Sequence, residues 1–450
     1  MEKTIVPESL TISELRELYR SGKVTPAQVV MEIIRRAKRD EGMNIWITPP
    51  EWQRIEPYLL RLNGLDPEHA PLWGIPFAIK DNIDWSAAPT TAACPAYAYE
   101  PSEDAAVVER LVAAGAIPIG KANLDQFATG LVGARSPYGE THNSLKPELI
   151  SGGSSGGSAV AVARGQAAFS LGTDTAGSGR VPAHLNRLVG LKPSLGAWPV
   201  HGVVPACESL DCVTVFAWSA EEAYEVDRIA RGPHDGDPWS RRLPAPAAAL
   251  PTRVCVPIAG TVAFYGPYAE AYERAWDATL ASLAGLGIPV EEVDISQYGE
   301  AASVLYEGPW VAERWAGLGA FVEAHPGAVL PVTERILRSG ADERHTAASL
   351  FQAMHKLQEY KLEARKRLKD AVLVLPTAGG TWTREQVRQD PVATNRDMGR
   401  YTNHCNLLDM CAIALPAVDA ADDLPFGITL FAAAEREDLV RGAALAIQNN

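Results

Sequence analysis

The chain has 450 residues, of which 47% are hydrophobic, and its formal net charge is −14. A chain of this length can form one large domain or about two or three average ones, and its negative charge argues against nucleic acid or an acidic membrane surface as a partner. Nothing near the amino terminus resembles a signal peptide, and no apolar stretch approaches the ~20 residues that span a bilayer. We therefore expect a soluble, cytoplasmic protein.

Short apolar runs alternate with helix-like segments through the first half of the chain. The helices predicted there are Ile12–Ser21, Pro26–Asp40, Ala105–Ala114 and Ser158–Arg164. The strands predicted there are Pro76–Lys80, Ile117–Gly120, Ala168–Thr173 and Val213–Ala217. Strands that alternate with helices are typical of an α/β fold with a layered sheet.

The second half of the chain begins with a proline-rich segment, 232–250, which is predicted to be an exposed connector. Residues 300–370 are predicted to be mostly helical. The charged run 361–369 within them is interpreted as a solvated helix face, because its acidic residues recur at helical spacing. The other predicted elements are the strands Thr252–Pro257, Ala371–Pro376, Ile413–Pro416 and Gly427–Phe431 and the helices Ala269–Leu286 and Glu437–Gln448.

Cysteine and histidine spacing gives no sign of a metal site. The six cysteines include no Cys-x-x-Cys pair, and the nine histidines show no ligand spacing. In a large chain without secretory features, free thiols are expected rather than a disulfide framework. We predict no metal and no cofactor.

Two serines lie in glycine-bracketed turns, and a lysine ends an upstream strand. Ser154 stands in the run Gly152–Ser158, and Ser178 stands in the run Gly172–Arg180. A serine hydroxyl attacks an amide efficiently when a neighbouring base accepts its proton. Lysine can be that base when burial lowers its pKa from about 10.4, and the apolar residues before Lys80 favour burial. The pattern indicates a serine nucleophile with a lysine base.

The segment that leads to the second serine can direct several backbone N–H groups at one oxygen. Glycine permits the tight turns that this requires, and such donors stabilise the charge on a carbonyl under attack. The predicted oxyanion hole comprises Thr175, Ala176, Gly177 and Ser178. A flexible Gly/Ser linker is the alternative, although the flanking segments are apolar.

These motifs resemble those of the amidase signature family, from the first predicted helix to the C-terminus. That family uses a Ser-cisSer-Lys triad, which maps onto Ser178 as nucleophile, Ser154 as bridging serine with a cis peptide bond, and Lys80 as terminal base. The resemblance implies that Ser155 is a hydrogen-bonding neighbour at the substrate. It also implies one α/β domain over residues 1–450, with a mixed central sheet covered by helices on both faces and with residues 300–370 on the substrate side.

Within the family, several segments resemble the allophanate hydrolases. They are Pro89–Ala96, Gly177–Ala183, Val204–Cys207 with Ser209–Val213, and Tyr401–Asn403 with Asn406–Asp409. The resemblance implies that Tyr306 and, eight residues later, Arg314 hold a small anionic amide, because an arginine fork binds a carboxylate through two parallel hydrogen bonds. Gly130 and Asn403 are implied to contact the substrate through backbone and side-chain amide groups.

The implied activity is the cleavage of allophanate, a urea that carries a carboxylate on one nitrogen, to ammonia and carbon dioxide. The same resemblance implies a homodimer and a functional partner in urea carboxylase. The further C-terminal domain of many allophanate hydrolases is not expected within these 450 residues.

Two residues and three competing functions stay open at this point. Arg180 either contributes to the site or pairs with a carboxylate such as Asp174. Glu208 stands where a basic residue is expected, which bears on charge selection if it faces the site. The competing functions are an amidase for another small carboxylated or biuret-like amide, a glutaminase subunit of a tRNA-dependent amidotransferase, and a noncatalytic partner of urea carboxylase.

Overall fold

The apolar runs of the sequence form the strands of one mixed sheet. The computed structural model describes residues 6–449, and within them eleven strands pair in a single sheet. In chain order the strands are β1 Trp46–Thr48, β2 Pro76–Lys80, β3 Ile117–Ala122, β4 Phe169–Asp174, β5 Val189–Lys192, β6 Cys212–Ala217, β7 Arg253–Pro257, β8 Val290–Val293, β9 Ala371–Pro376, β10 Met410–Pro416 and β11 Gly427–Ala433. Their order across the sheet is β1-β3-β2-β4-β6-β5-β10-β11-β9-β7-β8. Parallel and antiparallel pairs both occur, which confirms the predicted mixed sheet.

The α-helices connect and cover these strands. They are α1 Ile12–Arg20, α2 Pro26–Arg39, α3 Trp52–Arg61, α4 Ala106–Ala113, α5 Gly156–Ala163, α6 Val181–Leu185, α7 Ala220–Ala230, α8 Ala269–Ala284, α9 Ser296–Tyr306, α10 Val311–Ala324, α11 Pro331–Ser339, α12 Ala347–Arg367, α13 Arg384–Gln389, α14 Ala393–Met398, α15 His404–Leu407 and α16 Glu437–Gln448. Four of them, α9 to α12, occupy the region that the sequence predicts to be mostly helical.

Helices cover both faces of the sheet, as predicted. In β9 the side chains of Val372 and Val374 join one apolar cluster, whereas those of Leu373 and Leu375 join a second. Because successive strand side chains point to opposite faces, the two clusters lie on opposite sides of the sheet. Helices α8 and α16 contribute to the first cluster, and α9, α12 and α15 contribute to the second.

Element ends differ from the predictions by a few residues, and three strands are additional. Strands β2 and β9 begin and end at the predicted residues. The strands that the sequence pattern does not reveal are β1, β5 and β8. Strand β1 has only three residues, β5 contains a glycine, and three of the four residues of β8 are exposed. None of them therefore has the long apolar run by which strands are recognised. The segment 232–250 contains no helix or strand.

The carboxyl ends of two parallel neighbours create the edge at which polar residues gather. Strands β2 and β4 pair in parallel with Ile79 opposite Leu171, so Lys80 and Asp174, which end these strands, lie at the same edge. Helix α5 packs against both strands, and Ser154 lies just before its first turn. The topology thus brings together residues that are far apart in sequence.

No α-helix within residues 6–449 combines the length and the apolar character that crossing a membrane requires. The same residues contain no group of three or more His, Cys, Asp or Glu side chains that could hold a metal ion. All six cysteines are buried free thiols.

Candidate active site

Lys80 is fully buried at the end of β2, where its amine meets two hydroxyl groups. Its Nζ lies 2.7 Å from Ser154 Oγ and 2.7 Å from Thr173 Oγ1. The Gly153–Ser154 peptide bond is cis, as the family resemblance implies. Burial lowers the pKa of Lys80 to about 7, although nearby carboxylates oppose the shift. An amine with this pKa is partly neutral near physiological pH and can accept a proton.

Ser178 lies in the turn between β4 and α6. Its Oγ donates to the carbonyl oxygen of Gly130 at 3.5 Å, so the structure brings these two predicted site residues together. No hydrogen bond joins Ser178 Oγ to Ser154 within residues 6–449. The predicted lysine–serine pair is therefore in contact, whereas the Ser178 hydroxyl points to a carbonyl on the opposite loop.

The turn that carries Ser178 is stabilised by a buried ion pair. The carboxylate of Asp174 accepts hydrogen bonds from the N–H groups of Gly177 and Gly179 at 2.7 and 3.0 Å and pairs with Arg180 at 2.9 Å. Burial would raise the pKa of Asp174, but the adjacent Arg180 guanidinium lowers it below its usual range. Of the two alternatives for Arg180, the structure has the ion pair with Asp174.

These contacts correct one member of the predicted oxyanion hole. The N–H of Gly177 is already donated to Asp174, so it is not available to a substrate oxygen. The φ of Gly177 is 136°, a conformation that side chains other than glycine rarely adopt. Within the described residues, the N–H groups of Thr175, Ala176 and Ser178 donate to no protein acceptor. Three of the four predicted donors thus stay unengaged.

A buried carboxylate that the sequence reasoning missed supports the same turn. Asp211 accepts hydrogen bonds from the Thr175 hydroxyl and from the N–H groups of Ala206 and Cys207. Burial raises the pKa of Asp211 to about 6. Asp211 lies in the segment Ser209–Val213, which carries the subfamily resemblance. That segment does not indicate which groups the carboxylate would bond.

The Ser155 hydroxyl contacts the neighbouring strand, and its predicted role at the substrate stays a prediction. Its Oγ donates to the carbonyl oxygen of Thr173 at 3.2 Å and accepts from the N–H of the same residue at 3.4 Å. The side chain thereby fastens the start of α5 to β4. Both contacts are to backbone of the neighbouring strand, which favours a structural role for this hydroxyl.

Arg314 is buried on α10 and is held by two polar groups. Its Nη1 donates to Thr129 Oγ1 at 3.0 Å and its Nη2 donates to Tyr306 Oη at 3.3 Å. The guanidinium carbon lies 5.3 Å from the centre of the Tyr306 ring. Among residues 6–449, no carboxylate lies within 4.0 Å of Arg314, and its Nε has no hydrogen-bond acceptor. The carboxylates of Asp211 and Glu313 act on this charge only from beyond that distance, so a ligand carboxylate could add the direct pairing that a buried cation favours.

The loop between these two centres links Arg314 to Ser178. Thr129 contacts Arg314, and the next residue, Gly130, accepts the hydrogen bond from Ser178. Phe127 and Ala128, which precede them, both have φ of 52°, the left-handed region that costs non-glycine residues energy. A Cβ atom at Gly130 would lie 2.5 Å from an oxygen of Asp125, so this close approach requires glycine. The sequence named Gly130, but not Thr129.

A cavity of about 510 Å³ adjoins this network. Tyr306 and Asn403 line it together with Arg135, Arg396 and Arg400. The side-chain oxygen of Asn403 is buried and has no hydrogen-bond partner among the described residues. The structure therefore brings Tyr306, Arg314 and Asn403 to one side of the site, and their binding of a substrate stays a prediction.

Glu208 is not at this cavity. Its carboxylate accepts a hydrogen bond from the Trp239 indole at 3.1 Å, and both residues line a separate cavity of about 250 Å³. The acidic residue at position 208, where a basic residue is expected, therefore does not change the charge of the cavity that Tyr306 lines.

Comparisons with known proteins identify the family of the chain. The family model for amidases matches residues 28–440. The urea amidolyase of Saccharomyces cerevisiae is 45% identical over 367 residues, which are 81% of this chain and 20% of that protein. The chain thus spans a fifth of the length of this relative.

Solved structures extend the comparison to the fold. Kluyveromyces lactis allophanate hydrolase has a TM-score of 0.88 and 38% identity, over 97% of this chain and 72% of that one. A glutamyl-tRNA(Gln) amidotransferase component from Thermotoga maritima has a TM-score of 0.81 and 26% identity, over 98% and 94% of the two chains. The chain belongs to the amidase signature family and is a C–N amide hydrolase.

Proposed function

We propose that the chain hydrolyses allophanate to ammonia and a carboxylated carbamate, which decays to carbon dioxide and a second ammonia. The observation that carries the proposal is Arg314, a buried guanidinium with no carboxylate within 4.0 Å among residues 6–449. A substrate carboxylate would balance this charge through charge-assisted hydrogen bonds. The similarity to Kluyveromyces lactis allophanate hydrolase supports the same substrate.

In the proposed reaction Ser178 Oγ attacks the terminal carbamoyl carbon of the substrate. The Ser178 proton passes to Ser154 Oγ as the Ser154 proton passes to Lys80 Nζ, whose 2.7 Å contact with Ser154 supports this relay. The step requires the Ser178 hydroxyl to turn away from the Gly130 carbonyl and toward Ser154. Lowering the pKa of the amine suits it to accept a proton near neutral pH.

The charge that develops on the carbonyl oxygen is proposed to be stabilised by the unengaged N–H groups of the nucleophile turn, Thr175, Ala176 and Ser178. Collapse of the tetrahedral intermediate breaks the C–N bond, and ammonia leaves with a proton returned through Ser154. Water then attacks the acyl-enzyme, with Ser154 and Lys80 again accepting the proton, and Ser178 is regenerated.

The substrate chemistry implies a partner reaction. Allophanate is a carboxylated urea, so a urea-carboxylating enzyme must produce it, and we propose functional coupling to urea carboxylase. The similarity to a urea amidolyase, a protein about five times as long as the matched region, supports this coupling. The homodimer stays a prediction.

The test is ammonia release from freshly prepared allophanate, compared with malonamate, biuret, glutamine and a neutral aliphatic amide. We expect turnover of allophanate that Ser178→Ala abolishes. Ser158→Ala is the matched control, because Ser158 is also buried but its hydroxyl donates only to the backbone of strand β4, at Leu171. Turnover confined to other amides would refute the substrate, and glutamine turnover that requires added subunits would favour the amidotransferase alternative.

A further inference from the structure

The cavity beside Tyr306 is positively charged although the chain as a whole carries −14. Three guanidinium groups line it, Arg135, Arg396 and Arg400, against the single carboxylate of Glu307. A concave, low-dielectric surface that carries one sign of charge concentrates the electrostatic field inside it. The local charge therefore opposes the charge of the molecule.

Arg135 forms the buried wall of this cavity. It is 3% exposed, and its guanidinium donates to the carbonyl oxygens of Thr129 at 2.9 Å and Pro391 at 2.6 Å. Its Nε is buried without an acceptor, and its guanidinium forms no ion pair within 4.0 Å among residues 6–449, although the carboxylate of Asp125 accepts from its backbone N–H at 2.8 Å. Carbonyl oxygens satisfy donors but do not neutralise the charge, and the Asp125 carboxylate bonds to the Arg135 backbone rather than to its guanidinium. Arg135 is therefore a second buried guanidinium without an ion-paired carboxylate.

Arg396 and Arg400 form the exposed rim. Arg396 lies in α14, and Arg400 lies one helical turn further along the chain, just past the end of that helix. The two side chains therefore lie on the same side of the segment. Arg400 lies 3.5 Å from Asp397, whereas Arg396 has no carboxylate within 4.0 Å in the described part of the chain. The rim thus offers at least one unpaired cation to an incoming ligand.

We propose that this cavity is a second anion-binding site, a vestibule that holds a small carboxylate before it reaches Arg314 and Ser178. The inference rests on the proposed function for the identity of the carboxylate. It deepens that function: Tyr306 and Asn403, which are predicted to bind the substrate, also line the cavity, but its cationic groups, Arg135, Arg396 and Arg400, differ from Arg314. A volume of about 510 Å³ lies within the range of ligand sites and exceeds what one small carboxylated amide fills.

The vestibule is connected to the reaction site through one residue. Thr129 accepts from Arg135 through its backbone oxygen and from Arg314 through its hydroxyl, so the two buried guanidiniums lie on either side of it. An anion released by Arg135 is therefore one residue away from Arg314. Binding in the vestibule raises the local concentration of anionic substrate near the reaction site. Neutral amides are not concentrated in this way.

The test is binding of malonate to the inactive Ser178→Ala variant, measured by titration calorimetry at low and high sodium chloride. With Arg314→Gln added, malonate should still bind, and replacing Arg396 and Arg400 by glutamine in that background should weaken it about tenfold at low salt. At 1 M salt, where the Debye length is about 3 Å, the difference should nearly vanish. Complete loss of malonate binding in the Arg314→Gln background would overturn the second site.

A matched control removes two positive charges elsewhere. Arg20 and Arg274 are exposed and do not line the cavity, so Arg20→Gln with Arg274→Gln should leave malonate affinity unchanged. An equal loss of malonate affinity in this control would overturn the vestibule in favour of a general charge effect.

In the active enzyme, the Arg396→Gln, Arg400→Gln variant should lower kcat/KM for allophanate about three- to tenfold with kcat retained. The calorimetry needs no turnover, so failure of the proposed function would appear in the ammonia assay and failure of the vestibule in the binding data.

Discussion

The two sides of the candidate active site differ in how their charges are balanced. At the ends of β2 and β4, the Asp174–Arg180 ion pair and the Lys80–Ser154 contact leave each buried charged group with a protein partner. On the side of α9 and α10, the buried guanidinium of Arg314 has no carboxylate beside it among the described residues. The first arrangement is complete without a ligand and suits preorganised chemistry. The second lacks a paired anion and suits recognition of an anionic substrate. Substitutions on the first side should therefore affect mainly kcat, and those on the second mainly KM.

After the loss of Ser178 itself, the largest effect is expected at the strand-end side, from Ser154→Ala. Removing the hydroxyl that contacts Lys80 breaks the proposed proton relay, and general acid–base assistance is worth about 10²–10⁴-fold. We expect kcat to fall by about 10³-fold with KM nearly unchanged, as measured in the ammonia assay. Circular dichroism should show that the variant is folded. A kcat within a few-fold of the parent enzyme would remove Ser154 from the reaction.

The acid limb of the pH profile is the next effect in size. Burial lowers the pKa of Lys80 to about 7, so the neutral amine that serves as base falls about tenfold for each pH unit below 7. We expect kcat/KM to rise as pH increases through 7 and to level off above it. Below about pH 6, protonation of Asp211 should steepen the loss, because its carboxylate holds Thr175 in place. A profile that is flat between pH 6 and 8 would contradict the lysine base.

The recognition side should respond to Arg314→Ala through KM. Losing hydrogen bonds to a charged group costs about 1.5–3 kcal/mol, which corresponds to roughly a 10- to 100-fold rise in KM for allophanate. Because Arg314 lies on the recognition side, kcat should fall much less. A neutral amide that the parent enzyme hydrolyses serves as the internal control. If KM for allophanate were unchanged, the substrate carboxylate would have to bind elsewhere.

The smallest effect on activity is expected from Ser155→Ala, next to the relay serine. Ser155 bonds only to the backbone of Thr173, so the substitution should lower the free energy of unfolding by about 1–2 kcal/mol and change kcat less than about twofold. Chemical denaturation and the ammonia assay measure the two quantities. The contrast with Ser154→Ala tests whether one of two adjacent serines carries the chemistry, and a loss above tenfold would return Ser155 to the site.

Much of the fold was predictable because its signals are local. The run Pro76–Lys80 is apolar and short, and the structure has a strand with those limits. The edge strand β8 escaped prediction because its outward side chains are acidic and its pairing with β7 is supplied by distant residues. Local patterns reveal buried strands more readily than exposed ones, since only burial imposes an apolar composition.

The site was less predictable from the sequence than the fold. Glycine-bracketed serines and an apolar approach to lysine indicate a nucleophile and a base without any fold. The hydrogen bond from Gly177 to Asp174, however, depends on the exact turn after β4, and no spacing rule specifies which N–H groups a carboxylate will take. The same holds for Ser155, whose hydroxyl could have faced either the substrate or the neighbouring strand.

The sequence by itself determined the family, the mixed α/β architecture and the identity of the reactive residue types, because these follow from local composition and from motifs that a short segment can carry. Tertiary structure decided which charges are balanced. Asp174 meets Arg180 within one turn, but Arg135 and Arg314 meet only at Thr129, across nearly two hundred residues of chain. Whether a buried cation has a counter-ion depends on the groups that every element packed around it contributes. Those groups come together only in the folded molecule.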